Sequence, residues 1–585
     1  MEARVTRAPL LLLLGLVLLL RLPFLNQAIQ GDDHIYLSEA EHALVDPLHP
    51  NNTRYVFLGI DVDLRGHSHP PGNAWPLAAL LAIFGDVKEV PFHAAYIVFS
   101  LIAVWAMWTL ARRFTDHPVW AALLFIAVPA FVVNGTSLES DLPFLAFFLA
   151  SVALWNEGLL AASALAMAAG SMMAYQAVFL IPILAVHTWL FHRRNRIRWL
   201  VLLTPGFTLA GWQIFSRLTT GKMPASQLAD YLITYKFAAL FSILKGAGML
   251  TIHAWFILFP ALVIPTAIAA WRRRREPGTL FLILWTVIFF LCGLPIFFAG
   301  SARYLLPIAA PMAILASRLP IRYVAPAFAL QLVLALGLAA ANYQHWDRYR
   351  QFAASIRSAT ANHRVFVDND WGLRYYIEAD HGRPVLKGQR LRTGDIVVSS
   401  ELGHNVEFTA PMATIARAVI RPSMPFRLIG LESGSGYSTV AKGCWPFGIS
   451  TGVVDRVEAR IVEERHPTLE YITPKDSAQI VSGVYPNDRW MSGTAIVLLK
   501  PPAAPRILRA EIYVPPNAVA RHVTLLLDGR EVAAKAIPGQ GPLTIESAGP
   551  LAGSNVELRV DRTFRAPGDQ RDLGVVLLGI GFAPR

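Results

Sequence analysis

Charge and cysteine are both scarce in this sequence. Only 16% of its 585 residues are charged, where ordinary soluble domains carry about 25%, so a chain that lives wholly in water is excluded. There are two cysteines, Cys292 inside an apolar run and Cys444 far downstream. That pair supplies no disulfide framework. An internal repeat of fixed period and a long low-complexity tract are also missing, which removes solenoids and unstructured chains. What remains is apolar: 54% of residues are hydrophobic and the mean hydropathy is +0.43. A net charge of +12 invites a nucleic-acid reading. The arginines, however, stand in short clusters between apolar runs, where they orient a membrane protein. No nucleic-acid partner is expected.

A helix needs roughly 20 apolar residues to span a bilayer. Eleven candidates are legible, at about 8–25, 91–112, 118–134, 141–156, 158–173, 175–191, 199–217, 251–271, 279–299, 302–317 and 323–342. With the N-terminus placed in the cytoplasm, alternation puts Arg112-Arg113, HRRNRIR (192–198), WRRRRE (271–276) and Arg318 with Arg322 all on that side, as the positive-inside rule requires. The stretches 75–85 and 237–250 are too short to span, and counting either alone would send later clusters to the wrong side. Both are read as interfacial or re-entrant helices on the outer face. The first span is read as uncleaved, because RLPFLNQAIQ after the leucines offers no clear A-x-A site.

From about residue 345 the composition becomes soluble. RVFVDNDWGLRYYIE and RTGDIVVSS read as strand and helix pieces of a small α/β unit. TAIVLLK, ILRAEIYV, HVTLLLDGREVAAKAI, VELRV and VVLLGIGF read as short strands with an Asp528-Gly529 hairpin, the pattern of a β-sandwich. The expected fold class is a polytopic α-helical membrane protein of about 11 transmembrane helices with a C-terminal exoplasmic α/β plus β-sandwich appendage. Its expected divisions are 1–344, 345–477 and 478–585.

Three outer turns then collect polar residues at one boundary. Loop 26–74 supplies Asp32, Asp33, His34, Tyr36, Glu39, Asp61, Asp63, His67 and His69; NGTSLESDLPF supplies Glu139 and Asp141; AGSARYLLPIAAP supplies Arg303 and Tyr304. The cytoplasmic turns are short and basic. Each group also has a purely structural reading. Asp32 and Asp33 suit a helix N-terminus, Pro70-Pro71 a rigid turn, Asp141-Leu-Pro143 a cap, and Arg303 a snorkelling residue. No His/Asp spacing matches a recognised metal template, so no metal ligand is assigned.

The order of these motifs along the membrane half resembles the GT-C superfamily of membrane glycosyltransferases. The lipid A aminoarabinose transferases and the protein O-mannosyltransferase superfamily are the nearest in pattern. The family's acidic D-E-x-x-Y-x-x-x-A corresponds to Asp32-Asp33-His34-Ile35-Tyr36-Leu37-Ser38-Glu39-Ala40. Its K-P-P or H-P-P corresponds to His69-Pro70-Pro71, its acidic turn to Ser140-Asp141-Leu142-Pro143, and its R-Y-x-x-P to Arg303-Tyr304-Leu305-Leu306-Pro307. Two departures stand out. Asp33 replaces the commoner Glu, and the family's T-K-x-x has no counterpart in SMMAYQAVFLIP, where Ala174 and Tyr175 stand and no lysine is present.

The resemblance implies transfer of a sugar from a polyprenyl-phosphate carrier to an acceptor hydroxyl on the exoplasmic face, by inverting displacement. The general base it implies is Asp32, with Asp33 second. Arg303, Tyr304 and His69 would meet the donor phosphate, while Tyr36, Glu139 and Asp141 would orient sugar, acceptor or basic groups. The scheme requires no cofactor and leaves room for a divalent cation. Expected partners are the lipid-linked donor, membrane lipid and an acceptor lipid, glycan or protein, and the expected location is a bacterial inner membrane. The competing classes are a flippase or transporter for lipid-linked saccharides and a non-catalytic binder. A transporter should carry ionisable groups in mid-membrane, whereas here the acids gather at one face.

Overall fold

The computed structural model describes residues 7–583 apart from 235–239, 298–299, 409, 411, 440, 463–464, 470–478 and 486–487. The N-terminal residues 1–6, the start of the 237–250 stretch and the 477/478 division therefore lie outside the described residues. The helical half runs α1 (Arg7–Arg21), α2 (Asp33–Ala43), α3 (Ala74–Phe84), α4 (Glu89–Phe114), α5 (Pro118–Ile126), α6 (Pro129–Asn134), α7 (Asp141–Asn156), α8 (Leu160–Met173), α9 (Leu180–Phe191) and α10 (Arg196–Val201). It continues α11 (Thr204–Thr220), α12 (Pro224–Thr234), α13 (Leu240–Ala254), α14 (Pro260–Arg272), α15 (Pro277–Gly293), α16 (Leu306–Ala316) and α17 (Ile321–Thr360).

Proline sets several of these starts. Pro118, Pro129, Pro260 and Pro277 each open a helix, where the missing N–H would have been unpaired in any case. Pro129 thereby divides the expected 118–134 span into α5 and α6. The expected span at 251–271 is likewise divided: its first residues continue α13, and α14 begins afresh at Pro260. By length and composition two described helices could each cross a bilayer unaided, Glu89–Phe114 and Ile321–Thr360, and eight further apolar helices are 10–17 residues long. At 1.5 Å per residue, those shorter helices rely on turns and partners to reach across about 30 Å of hydrocarbon. Eleven uninterrupted spans are thus not what the described residues show. Large apolar side chains nevertheless face outward along the helices, among them Leu11, Phe207, Leu218, Ile233, Leu240 and Phe241, as lipid-facing surfaces do.

Three of the expected basic turns meet at one end. The Arg318 guanidinium donates to Thr279 Oγ1 at 2.6 Å and to the Phe114 carbonyl, and the Thr115 and Ser317 hydroxyls are 3.0 Å apart. The acidic turns meet at the other end.

The helix α17 is 40 residues long and crosses the expected division at residue 345 without a break. Its last turns bury Tyr349, Phe352 and Ile356 in the core of the α/β unit. That unit comprises β3 (Val365–Asp368), α18 (Gly372–Ala379), β4 (Arg383–Pro384), β5 (Ile396–Ser400), β6 (Met412–Ile420), the short pair β7 (Phe426–Arg427) and β8 (Gly448–Ile449), and β9 (Asp455–Val462). They follow the β-hairpin β1 (Arg54–Phe57) and β2 (Ile60–Asp63) of the first loop. The five-stranded sheet has the order β4-β3-β5-β9-β6. β3 runs parallel to β4 and β5, while β9 is antiparallel to its neighbours.

Beyond it, strands between Thr468 and Phe582 form a four-stranded and a five-stranded sheet around one apolar core. The Asp528-Gly529 hairpin is present, with φ of 50° and 79° between paired Leu527 and Arg530. Two positive φ values in a two-residue loop are the demand that makes Asp-Gly the favoured pair there.

Candidate active site

Helix α2 starts where the chain leaves α1 and turns back toward the helical half. Asp33, its first residue, is fully buried and its carboxylate accepts from three donors: Gln30 N at 3.1 Å, Ser137 Oγ at 2.9 Å and Leu138 N at 2.8 Å. Asp33 therefore staples the start of α2 to the 134–140 turn. Burial pushes its pKa up to about 7, against the three donors that favour the carboxylate. Gln30 adds a 2.5 Å bond to the Thr136 carbonyl, and Asn73 donates to the Leu138 carbonyl at 2.7 Å. Gly31 has a φ of +46°, and a Cβ there would stand 2.7 Å from Glu139 Oε1, so both conformation and space call for glycine. Gly72 of the H-P-P-G turn packs on α8, with room for no Cβ against the Met172 carbonyl at 2.4 Å.

Around that staple three carboxylates converge on one guanidinium. Arg303 places Nη1 2.6 Å from Glu139 Oε2, Nε 3.1 Å from Asp141 Oδ2 and Nη2 3.4 Å from Asp32 Oδ2. Asp32 N also donates to Glu139 Oε1 at 3.2 Å. The side chains of Glu139 and Asp141 are 5% exposed, but that of Asp32 is 34% exposed. Asp32 is thus the member of the cluster that faces open space. Tyr304 packs against Phe297 with centroids 5.0 Å apart and the rings tilted by 37°, and its ring lies beside the Arg303 guanidinium.

A second polar run leads away along α2. Tyr36 OH is 3.1 Å from Ser140 Oγ, which is 2.9 Å from His69 Nδ1; that nitrogen is also 3.3 Å from the Met173 carbonyl. His69 is buried, and burial, with His67 and Arg303 close by, lowers its pKa to about 3. It is neutral at physiological pH and brings hydrogen bonds, not charge. One turn further on, wholly buried Glu39 faces His67 Nδ1 at 3.2 Å.

The appended unit closes this end. Tyr376 OH accepts from Ile29 N at 2.8 Å, and Leu58 N donates to Asp370 Oδ2 at 2.8 Å. His34 Nε2 meets Glu378 at 3.1 Å, and the Lys387 N–H donates to the Gly59 carbonyl at 2.8 Å. Tyr437, in the loop between β7 and β8, reaches the helical core. Its carbonyl accepts from Ala302 N at 3.0 Å and Ser301 Oγ at 3.2 Å, and its hydroxyl donates to Asn134 Oδ1 at 3.2 Å.

The structure therefore brings Asp32, Glu139, Asp141 and Arg303 into one contact group, with Tyr304, Tyr36 and His69 around it. Three of the expected site residues have partners that the sequence did not show. Asp33, the second-choice base, is engaged by three donors inside the fold. His69 is in contact with Ser140 Oγ, and burial holds its pKa low. Arg303, the first choice to meet phosphate, is already surrounded by acids that outnumber it three to one. Tyr437 was invisible in the sequence, because a glycine-rich loop carries no periodicity to mark an inward-facing side chain. Among the described residues, no three His, Cys, Asp or Glu side chains are grouped so as to hold a metal ion.

Residues 68–159 match the family model described as dolichyl-phosphate-mannose-protein mannosyltransferase. That segment opens one residue before His69 and contains Glu139, Asp141 and Pro143. In motif order, and in this segment by family model, the chain resembles the GT-C membrane glycosyltransferases. Among solved structures, the apo form of ArnT from Cupriavidus metallidurans is similar at 13% identity, covering 69% of this chain and 95% of that chain, with a TM-score of 0.47. The same protein bound to undecaprenyl phosphate gives 14%, 67%, 93% and 0.41. The arabinofuranosyltransferase AftD from Mycobacteria gives 13%, 98%, 58% and 0.38. No curated protein matches the chain.

Proposed function

We propose that this chain is a membrane glycosyltransferase that moves a sugar from a polyprenyl-phosphate carrier to an acceptor hydroxyl on the exoplasmic face. The observation that carries this reading is the partial exposure of Asp32 beside an otherwise buried Arg303, Glu139 and Asp141 group. The arrangement offers one carboxylate to a substrate and fixes it from behind. The match over 68–159 to a family described by a dolichyl-phosphate sugar supports a lipid-phosphate donor.

In the reaction, the acceptor oxygen attacks the anomeric carbon from the face opposite the phosphate, and its proton passes to Asp32. The bond between the anomeric carbon and the phosphate oxygen breaks, and its electron pair leaves with the polyprenyl phosphate. One displacement inverts the anomeric configuration. Arg303 holds Asp32 in place through its longest contact, at 3.4 Å, and the buried Tyr36 and Ser140 hydroxyls tie α2 to the turn before α7. The positive-inside rule supports a cytoplasmic position for the basic turns, and with it an appended unit on the outer side of a bacterial inner membrane.

The test is release of polyprenyl phosphate from a panel of polyprenyl-phosphate sugars by the purified, lipid-embedded protein, followed by mass spectrometry. Wild type is expected to release it with a suitable acceptor, and Asp32→Asn to lose about 10²–10⁴-fold in rate, the usual worth of a general base. Equal release from both proteins would remove Asp32 from the role.

A further inference from the structure

Helix α17 rises from the end where the basic turns meet and passes the candidate site, where Asn342 Nδ2 donates to Gln30 Oε1 at 2.6 Å. Asn342 also ends the apolar run of this helix, so the site and the edge of the hydrocarbon stand at one level. The appended unit does not stay above that level. Between Ser423 and Phe426 its chain runs down alongside α17. Gln344 Oε1 accepts from Ser423 N at 2.8 Å and from Ser423 Oγ at 3.0 Å. The Phe426 ring sits over Gly337, where a Cβ would stand 2.6 Å from Cε2. From Gln344 to Gly337 the helix falls by about 10 Å, and from Asn342 to Gly337 by about 7.5 Å, at 1.5 Å per residue. Phe426 therefore lies well inside the apolar run.

Non-helical backbone at that depth must satisfy its polar groups within the protein, and this segment does so by unusual means. Phe426 and Arg427 of β7 pair with Ile449 and Gly448 of β8. Pro422, Pro425 and Pro446 bring no N–H that would need an acceptor. Arg427 is buried and turns its guanidinium to four main-chain carbonyls, those of Pro422 and Gly452 at 3.0 Å, Met424 at 2.6 Å and Phe426 at 2.7 Å. One face of the pair is anchored, since Phe426 and Phe447 pack on the core of the helical half and Phe447 stands edge-on to Phe256 at 5.5 Å. The other face is apolar and open. Ile449, opposite Phe426, is 79% exposed and Trp445 is 52% exposed. Val333 and Leu330, further down α17, are exposed in the same way, so the outward apolar surface of the helix continues onto the appended unit.

We propose that the β7–β8 pair is a membrane-inserted element of the appended unit, with Ile449 and Trp445 in contact with the lipid of the leaflet on the site's side. The partner is the bilayer surface. Tryptophan suits the boundary between headgroups and hydrocarbon, and Arg421, exposed beside the Ser423 contact, stands at the level where an arginine meets lipid headgroups. The inference goes beyond sugar transfer and rests on the membrane reading of the helical half. It also gives the loop between β7 and β8 a second support. That loop carries Tyr437, whose carbonyl holds Ser301 and Ala302 just before Arg303. Lifting the appended unit away from the site would draw Ile449 and Trp445 out of lipid into water, which the hydrophobic effect opposes.

The experiment places a nitroxide label on Ile449→Cys in the full-length protein carrying Cys292→Ser and Cys444→Ser, in nanodiscs of phosphatidylcholine and phosphatidylglycerol. Collision rates are measured with oxygen, which concentrates in lipid, and with a water-soluble nickel chelate. Val333→Cys on α17 and Val481→Cys on a strand of the C-terminal sheets, both exposed positions, serve as the lipid and water references. The Ile449→Cys label is expected to give an oxygen-to-nickel ratio close to that of Val333→Cys and several-fold above that of Val481→Cys. A ratio equal to that of Val481→Cys puts the pair in water and overturns the inference. Slow collisions with both reagents put it against protein and overturn the lipid partner. A Val333→Cys label that itself reads as water overturns the membrane reading on which the inference rests. If Ile449→Cys does not fold, Trp445→Cys is read against the same references with the same outcomes. The reading of sugar transfer is tested separately, by release of polyprenyl phosphate.

Discussion

The two ends of α2 carry polar groups built on different charge arithmetic. At one end three carboxylates surround a single guanidinium; at the other a single carboxylate backs a single imidazole. The first has an excess of negative charge and one partly exposed acid, which suits taking a proton from an incoming hydroxyl. The second pairs one buried acid with one imidazole at 3.2 Å. The difference teaches that motif identity does not settle residue role. The arginine of R-Y-x-x-P, expected from the sequence to meet phosphate, also stands among three acids in the fold.

The sharpest way to break this comparison is to remove the shared cation. Arg303→Gln leaves Glu139 and Asp141 buried without their charge partner, and stranding buried charges typically costs about 3–5 kcal/mol. The expected outcome is a large fall in unfolding temperature together with loss of transfer. Arg303→Lys should recover part of the stability and little of the rate, because one ammonium cannot face three carboxylates as the planar fork does. Stability unchanged in Arg303→Gln would show that the acids are held by other means.

The contrast between adjacent acids is the next test. Asp32→Asn should stop transfer while leaving the fold nearly intact, because its side chain is partly exposed and its one side-chain contact is long. Asp33→Asn should do the reverse, lowering stability by about 1–3 kcal/mol through mismatched buried donors and changing the rate only in so far as α2 shifts. Thermal unfolding and transfer measured on the same two proteins decide it; matching losses of rate would put both acids in the chemistry.

These pairs also show how far the sequence could be read. Four motifs distributed over some 270 positions were legible, and the fold does bring Asp32, Glu139, Asp141 and Arg303 into contact. Which of Asp32 and Asp33 turns inward was not legible, because consecutive helical residues point about 100° apart and the 134–140 turn, distant in sequence, selects the inner one. His67 and His69 pose the same problem at a spacing of two. The appended strands could be read from alternation and the Asp-Gly turn. The continuation of α17 was not, since ANYQHWDRYRQF marks the end of the apolar run but not that the same helix goes on into a second core. The expected spans were interrupted where proline opens a new helix, which hydropathy alone does not register.

The pH response of stability tests the environment of His69. The folded-state pKa of His69 lies near 3, far below the ordinary value of about 6.5. Below pH 6.5 the unfolded chain takes up a proton at this position and the folded chain does not, so stability is full above that pH and falls as pH drops from 6.5 toward 3. The loss approaches about 1.4 kcal/mol for each pH unit within that window. His69→Asn removes this contribution, and its unfolding temperature should fall less steeply than that of wild type between pH 6.5 and 5. An acid limb of unchanged slope would mean that His69 is already protonated in the fold.

The smallest expected effect concerns the loop that reaches in from the appended unit. Tyr437 is held twice, by its main-chain carbonyl on Ser301 and Ala302 and by its hydroxyl on Asn134. Tyr437→Phe removes only the second hold and leaves the Asn134 carbonyl oxygen without that donor. A loss of about 1 kcal/mol is expected, with transfer reduced by a few fold at most, because the residues before Arg303 keep their main-chain anchor. Tyr437→Gly removes the buried ring as well and should lower both stability and rate further, as the Ser301–Ala302 segment loses the support that fixes its carbonyl partner. If Tyr437→Gly loses stability but transfers sugar at the wild-type rate, the loop braces the fold without helping to place Arg303.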